Sequence, residues 1–171
     1  MTFSEMILPE FDEEMKNTRK ILELIPEDKF DYQPHPKSMK MIRLASHVAE
    51  MPGWVASAVD LTELAIEADH KPWFAKSTAE LLEKFDKGVM IAREKIRSTS
   101  DASWAQTWTF KFAGQVVMQL PRSVVMRSVI LNHVIHHRAQ LGVYLRLNNI
   151  AIPGMYGPSA DEPDAFASQA A

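Results

Sequence analysis

The chain contains no cysteine, which excludes a disulfide framework, a thiolate metal ligand and a cysteine nucleophile. Any thiol chemistry would need a thiol brought in as substrate. No run of about 18 apolar residues is present, and Met1-Thr2-Phe3-Ser4-Glu5 does not begin a signal peptide. A soluble, cytoplasmic protein is the expectation. Positive charge is not in excess: 19 Lys+Arg against 22 Asp+Glu leave a net charge of -3. Without a basic patch, direct nucleic-acid binding is not expected. An internal repeat, a glycine-rich phosphate loop and an assignable Ser-His-Asp arrangement are also missing.

What is present suits one helical domain over 1–171, long enough to bury roughly 70% of the surface its unfolded form exposes. Phe11, Met15, Thr18, Leu22 and Ile25 follow 4-3-4-3 spacing and predict a helix from Pro9 to Ile25, ended by Pro26. Glu10, Asp12, Glu13 and Glu14 then fall in its first turns as a solvated group matched to the helix dipole. The stretch 27–37 reads as a loop that carries His35 between two prolines, where it has no ligand role. A second helix is expected over 38–64 with Ser38 as N-cap and a kink, not a stop, at Pro52-Gly53. His70 lies in a polar connector and is given no role. Ser77-Thr78-Ala79-Glu80 reads as a capping box opening a third helix over 77–97. Trp108, Phe110 and Phe112 alternate with Thr107, Thr109 and Lys111, which predicts a short hairpin turning at Ala113-Gly114-Gln115.

The last helix, 121–148, carries the chemistry. Pro121 can open it and Asn148-Asn149 can close it. Arg127, Ser128, Arg138, Gly142 and Arg146 share the side expected to face water. Met126, Ile130, Val134, Leu141, Tyr144 and Leu145 form the apolar side, with His133 and His137 in its middle. Those two are four apart, so they stack one turn above the other and can converge on one ion. His136 is three after His133 and about 100° round the wheel from His137, so a His133–His136 pair stays open; His137 is preferred as the more central. Core histidines bonded to carbonyls would give the same pattern. A third imidazole is at hand in His47, within the apolar stripe of the second helix. Glu50, one turn after it, is a candidate to orient a ligand or act as a base, and Tyr144 is a second candidate. Three nitrogen ligands leave coordination positions open for water or substrate and suit Zn, Ni, Cu or Fe. Helices at 9–25, 38–64, 77–97 and 121–148 with long connections form a four-helix bundle, and the segment 152–162 should lie over it or serve as an interface. The residues after it, to Ala171, are expected to fray.

These segments resemble the DinB-like (damage-inducible) four-helix-bundle proteins. His47 sits in LASHVAEMPGW, His133 and His137 in LNHVIHHRAQLGVYLR, and PGMYGPSADE is similar to the family's tail. The H-R-x-Q-L segment selects His137 over His136. The resemblance implies an all-α antiparallel bundle, a divalent metal (Zn or Ni) held by His47, His133 and His137, and a homodimer. Relatives include low-molecular-weight-thiol S-transferases, thiol-dependent isomerases and members classed with the hydrolases, so a metal-dependent enzyme is the leading expectation. The alternative is a non-catalytic metal-binding or stress-associated dimer.

Overall fold

The computed structural model describes residues 1–162; the fraying expected near Ala171 lies outside them. Helix α1 spans Phe3–Glu23, six residues earlier than the proline suggests. Thr2 Oγ1 accepts from the Glu5 N–H at 3.2 Å while the Glu5 carboxylate accepts from the Thr2 N–H at 2.7 Å. This reciprocal cap satisfies two orphan donors, and Pro9 is carried inside the helix. Phe11, Met15, Thr18, Leu22 and Ile25 are all buried as their spacing requires. The acidic residues therefore lie in the body of α1, not in its first turn. Glu14 is buried, which corrects its reading as solvated.

Helix α2, Met41–Glu50, begins three residues after Ser38, with Lys40 at the N-cap and no side-chain cap. The loop supplies the missing acceptors: Met41 N–H donates to the Tyr32 carbonyl at 2.8 Å and Ile42 N–H to the Phe30 carbonyl at 3.1 Å. At Pro52 the α-helix tightens into a 3-10 turn, Met51–Gly53, and resumes as α3, Trp54–Asp60. Helix α4, Thr78–Ser98, is capped by Ser77, whose hydroxyl accepts from Glu80 N–H. The Glu80 carboxylate accepts from the Lys76 N–H instead of closing the box on Ser77. Gly88 is where α4 meets the 3-10 turn: a Cβ there would stand 3.1 Å from Gly53 N, a tight contact that glycine avoids.

The second helix does not reach residue 64. Glu63–Ile66 is strand β1, parallel to β2 (Thr107–Phe112), which pairs antiparallel with β3 (Gln115–Pro121). The expected hairpin is present, and Ala113 and Gly114 turn it at φ 47° and 76°, the left-handed geometry that two-residue hairpin loops require. The fold is thus mostly helical with a small mixed sheet, and not all-α. Glu63-Leu64-Ala65-Ile66 has no strong strand signal of its own; it becomes a strand because β2 offers an unpaired edge. Trp108 is buried, and its indole N–H donates to the Ser57 carbonyl at 3.2 Å, tying the sheet to α3.

After α5 (Asp101–Trp104) and the hairpin comes the final helical stretch. It runs as α6 (Arg122–Val124), a π-helical segment (Val125–Leu131) and α7 (Asn132–Leu147). Helices α1, α4, α2 and α7 pack in a ring in that order, which leaves α2 and α7 side by side. No helix among the described residues is long and apolar enough to cross a membrane.

Candidate metal centre

Neighbouring α2 and α7 bring His47 against His133 and His137. Ring centroids are 5.1 Å apart for His47–His133, 5.0 Å for His47–His137 and 4.6 Å for His133–His137. One ring nitrogen from each lies within 4.8 Å of those of the other two. The π-helical segment ends one residue before α7; such segments shift the helical register and recur at functional sites. Here the wider turn precedes His133 and sets the face on which both histidines of α7 emerge. His136 points outward and is exposed, outside the cluster. His35 and His70 are exposed as well.

All three clustered imidazoles are held neutral. Burial pushes His47 down to about 3, aided by the positive charge of Arg43 and by His137 and His133. Burial likewise lowers His133 and His137, because a charged imidazolium loses more by desolvation than a neutral ring. Neutral rings are the form that ligates a metal. Gln140 Oε1 lies 2.6 Å from His137 Nδ1. With an amide oxygen as acceptor, Nδ1–H is the donor and Nε2 is left bare, the usual outer support of a metal-binding histidine. Trp54, the first residue of α3, stands over the cluster with ring centroids 5.4 Å from His47 and 5.6 Å from His133.

Gln140, Trp54 and Arg43 were not singled out from the sequence. Gln140 had a signal, as the glutamine of H-R-x-Q-L. Trp54 and Arg43 had none beyond helical spacing. Tyr144 is buried, and its hydroxyl donates to the Met39 carbonyl at 3.1 Å. Glu50 lines a groove with Gly53, Trp73, Lys84 and Gly88, on the side of α2 that faces α4. Burial raises the Glu50 carboxyl above its usual range, opposed by the charges of Lys84, Arg43 and His70. A carboxyl raised in the folded state destabilises it once the unfolded chain can ionise, that is, as pH climbs past the ordinary glutamate value. Glu50→Gln should therefore raise the melting temperature at pH 7, and the gain should vanish below about pH 4. Equal melting temperatures at pH 7 would show the carboxylate is adequately solvated.

The water-facing side of the last helix is corrected at two positions. Arg127, Ser128 and Arg146 are exposed, but Arg138 and Gly142 are buried. Arg138 Nη1 meets Glu14 of α1 at 2.7 Å, the Glu14 carbonyl at 3.0 Å and Thr18 Oγ1 at 3.2 Å. Arg138 Nη2 donates to the Tyr156 hydroxyl at 2.7 Å, and that hydroxyl also reaches the Glu14 carboxylate at 2.9 Å. Gly142 lies under Ile152. The segment 152–162 thus lies over the bundle, and a helical wheel cannot foresee that covering.

A ring of helices with a small mixed sheet, centred on a three-histidine cluster between two neighbouring helices, defines the class. A family model described as "DinB family" matches residues 1–168: the chain belongs to the DinB family. It is 25% identical over 164 residues to the uncharacterised protein YrdA of Bacillus subtilis strain 168, covering 95% of this chain and 93% of that one. Its fold is similar to a DinB-like protein from Bacillus cereus ATCC 10987, with TM-score 0.71 and 21% identity over 89% of this chain and 97% of the other. A DinB-like protein, YjoA, from Bacillus subtilis superposes with TM-score 0.66 at 16% identity, covering 88% of this chain and 96% of that one.

Proposed function

We propose that His47, His133 and His137 hold one divalent metal ion, Zn or Ni, and that the chain is a metal-dependent enzyme. The reaction class proposed is S-transfer with a low-molecular-weight thiol, or hydrolysis. The observation that carries this reading is the convergence of three neutral imidazoles within 4.8 Å, with no carboxylate among the donors. Three imidazole nitrogens are a donor set that would suit Zn or Ni. Three protein ligands would leave a position for an exchangeable group. A bound ion would supply Lewis acidity toward a thiol or water. The protein's own part is to keep the proton on His137 Nδ1 through Gln140 and to wall one side of the cluster with Trp54. Glu50 lines the groove toward α4, away from the α7 side on which the cluster lies, and is given no catalytic role. The Tyr144 hydroxyl is committed to Met39. A homodimer belongs to the same reading, supported by exposed Val143 and Leu147 on α7.

A second reading is favoured by the span of the cluster. Because His47 is on α2 and the others on α7, an ion there would cross-brace two helices without catalysis.

Metal content by mass spectrometry, on protein purified without a metal-affinity tag, tests the centre. Wild type should hold about one ion per chain and His47→Ala close to none. Wild type that takes up no ion when offered Zn or Ni would refute both readings.

A further inference from the structure

Arg43 is four residues before His47 on α2, hence one turn away on the same face. Its guanidinium carbon lies 5.7 Å from the centroid of the Phe74 ring, so an aromatic covers part of it. Its Nη1 is buried and has no hydrogen-bond partner among the described residues. A buried charged donor without an acceptor is costly and uncommon in a folded protein. Its place one turn before His47 puts its charge on the cluster's side of α2, and that charge adds to the lowering of His47 and His137. The three donors are neutral nitrogens, so an ion bound there would keep its full charge beside the guanidinium. Glu50 feels Arg43 as well, but no ion pair joins them.

A cation with an idle buried N–H, next to a centre built from neutral ligands, is arranged to receive negative charge. We propose that Arg43 binds an oxyanion of the substrate, a carboxylate or a phosphate, beside the three-histidine centre. The planar guanidinium suits both groups, because its fork of N–H donors matches their paired oxygens. Phe74 holds the guanidinium by a cation–π contact, 5.7 Å from carbon to ring centroid. The cluster and Arg43, one helical turn apart, would then hold two points of one anionic substrate. Neutral substrates would leave Nη1 unpaired, which makes Arg43 a selector for acids.

The inference rests on the metal-centre reading, and the test separates the two. Wild type, Arg43→Gln and Arg43→Lys are each prepared metal-free and Zn-loaded, and zinc content is measured on all three. Succinate and inorganic phosphate are then titrated in by calorimetry, with Trp fluorescence as a second readout because Trp54 borders the site. The expected result is equal zinc content, with at least tenfold weaker anion binding in Arg43→Gln and an intermediate loss in Arg43→Lys. Succinate bound more tightly than phosphate would assign a carboxylate, and the reverse order a phosphate. Failure to load zinc would defeat the metal-centre reading alone, because Arg43-dependent binding is still measured in the metal-free protein. Anion affinity in Arg43→Gln equal to wild type, or no anion binding by wild type in either form, would overturn the role given to Arg43. Circular dichroism of the variants should match wild type, since Arg43 is only half-buried.

Discussion

Zn or Ni added to metal-free protein is expected to raise its melting temperature by roughly 5–16 °C, and His137→Ala should reduce that rise to within error. A ligand that binds only the folded state stabilises it by about 2.7 kcal/mol at a hundredfold excess over Kd and about 4.1 kcal/mol at a thousandfold excess. For a chain of this length each kcal/mol moves the melting temperature by about 2–4 °C. The unfolded chain cannot reproduce the site, because His47 is 86 residues from His133 in sequence and meets it only when α2 packs beside α7. Burial lowers all three imidazoles, so metal uptake at pH 7 should release fewer protons than it would from ordinary histidines. The same variant separates the two functional readings. If the ion is catalytic, His137→Ala abolishes turnover of an identified substrate and leaves helicity nearly unchanged. If the ion only braces helices, the variant loses thermal stability in the presence of metal and there is no turnover to lose. A variant that shows the full metal-dependent rise would remove His137 from the ligand set.

Arg138→Ala should cost about 3–5 kcal/mol in urea unfolding, the range for breaking a buried ion pair by removing one partner. Arg138 and Glu14 have side-chain exposures of 3% and 8%, so water does not screen the pair. The variant strands the Glu14 carboxylate with the Tyr156 hydroxyl alone. It also removes the donor to Thr18 Oγ1, which keeps its own bond to the Glu14 carbonyl, and loosens the segment that Tyr156 ties down. Tyr156→Phe should cost far less, about 1–2 kcal/mol, because the ion pair survives. The double variant Glu14→Leu/Arg138→Met, which replaces the pair by apolar groups of similar reach, should recover most of the loss. An Arg138→Ala loss below about 1 kcal/mol would mean that water reaches Glu14 and that the pair behaves as a surface bridge.

The histidine cluster was legible because helical periodicity states which residues share a face, and the resemblance carried by H-R-x-Q-L chose His137 over His136. His133 and His137 had to stack, and His47 had to point inward with Leu44, Val48 and Met51, all of which are buried. The hairpin was legible for a related reason: alternation in 107–112 has only one extended solution that buries Trp108. Two kinds of feature were not legible. The start of α1 depended on Thr2 and Glu5 completing a cap, which outweighed the start signal of Pro9. The start of α2 depended on carbonyls of Phe30 and Tyr32, which no local reading of Ser38 supplies.

By itself the sequence determined where the main helices lie, though not their ends, and also the hairpin, the inward faces of His47 and His133, and the lack of any thiol in the protein. Each follows from local spacing or composition, which act within a few residues along the chain. Tertiary structure alone decided that 63–66 is a strand, because β2 had an open edge to fill. It also decided that Arg138 is buried, because α1 and the closing segment cover the side of α7 that a wheel leaves to water. And it left Arg43 Nη1 without an acceptor next to the cluster, a fact that depends on Phe74 arriving from the connector after β1. These outcomes turn on which surfaces meet, and partner surfaces far apart in sequence leave no mark on a residue's own neighbours.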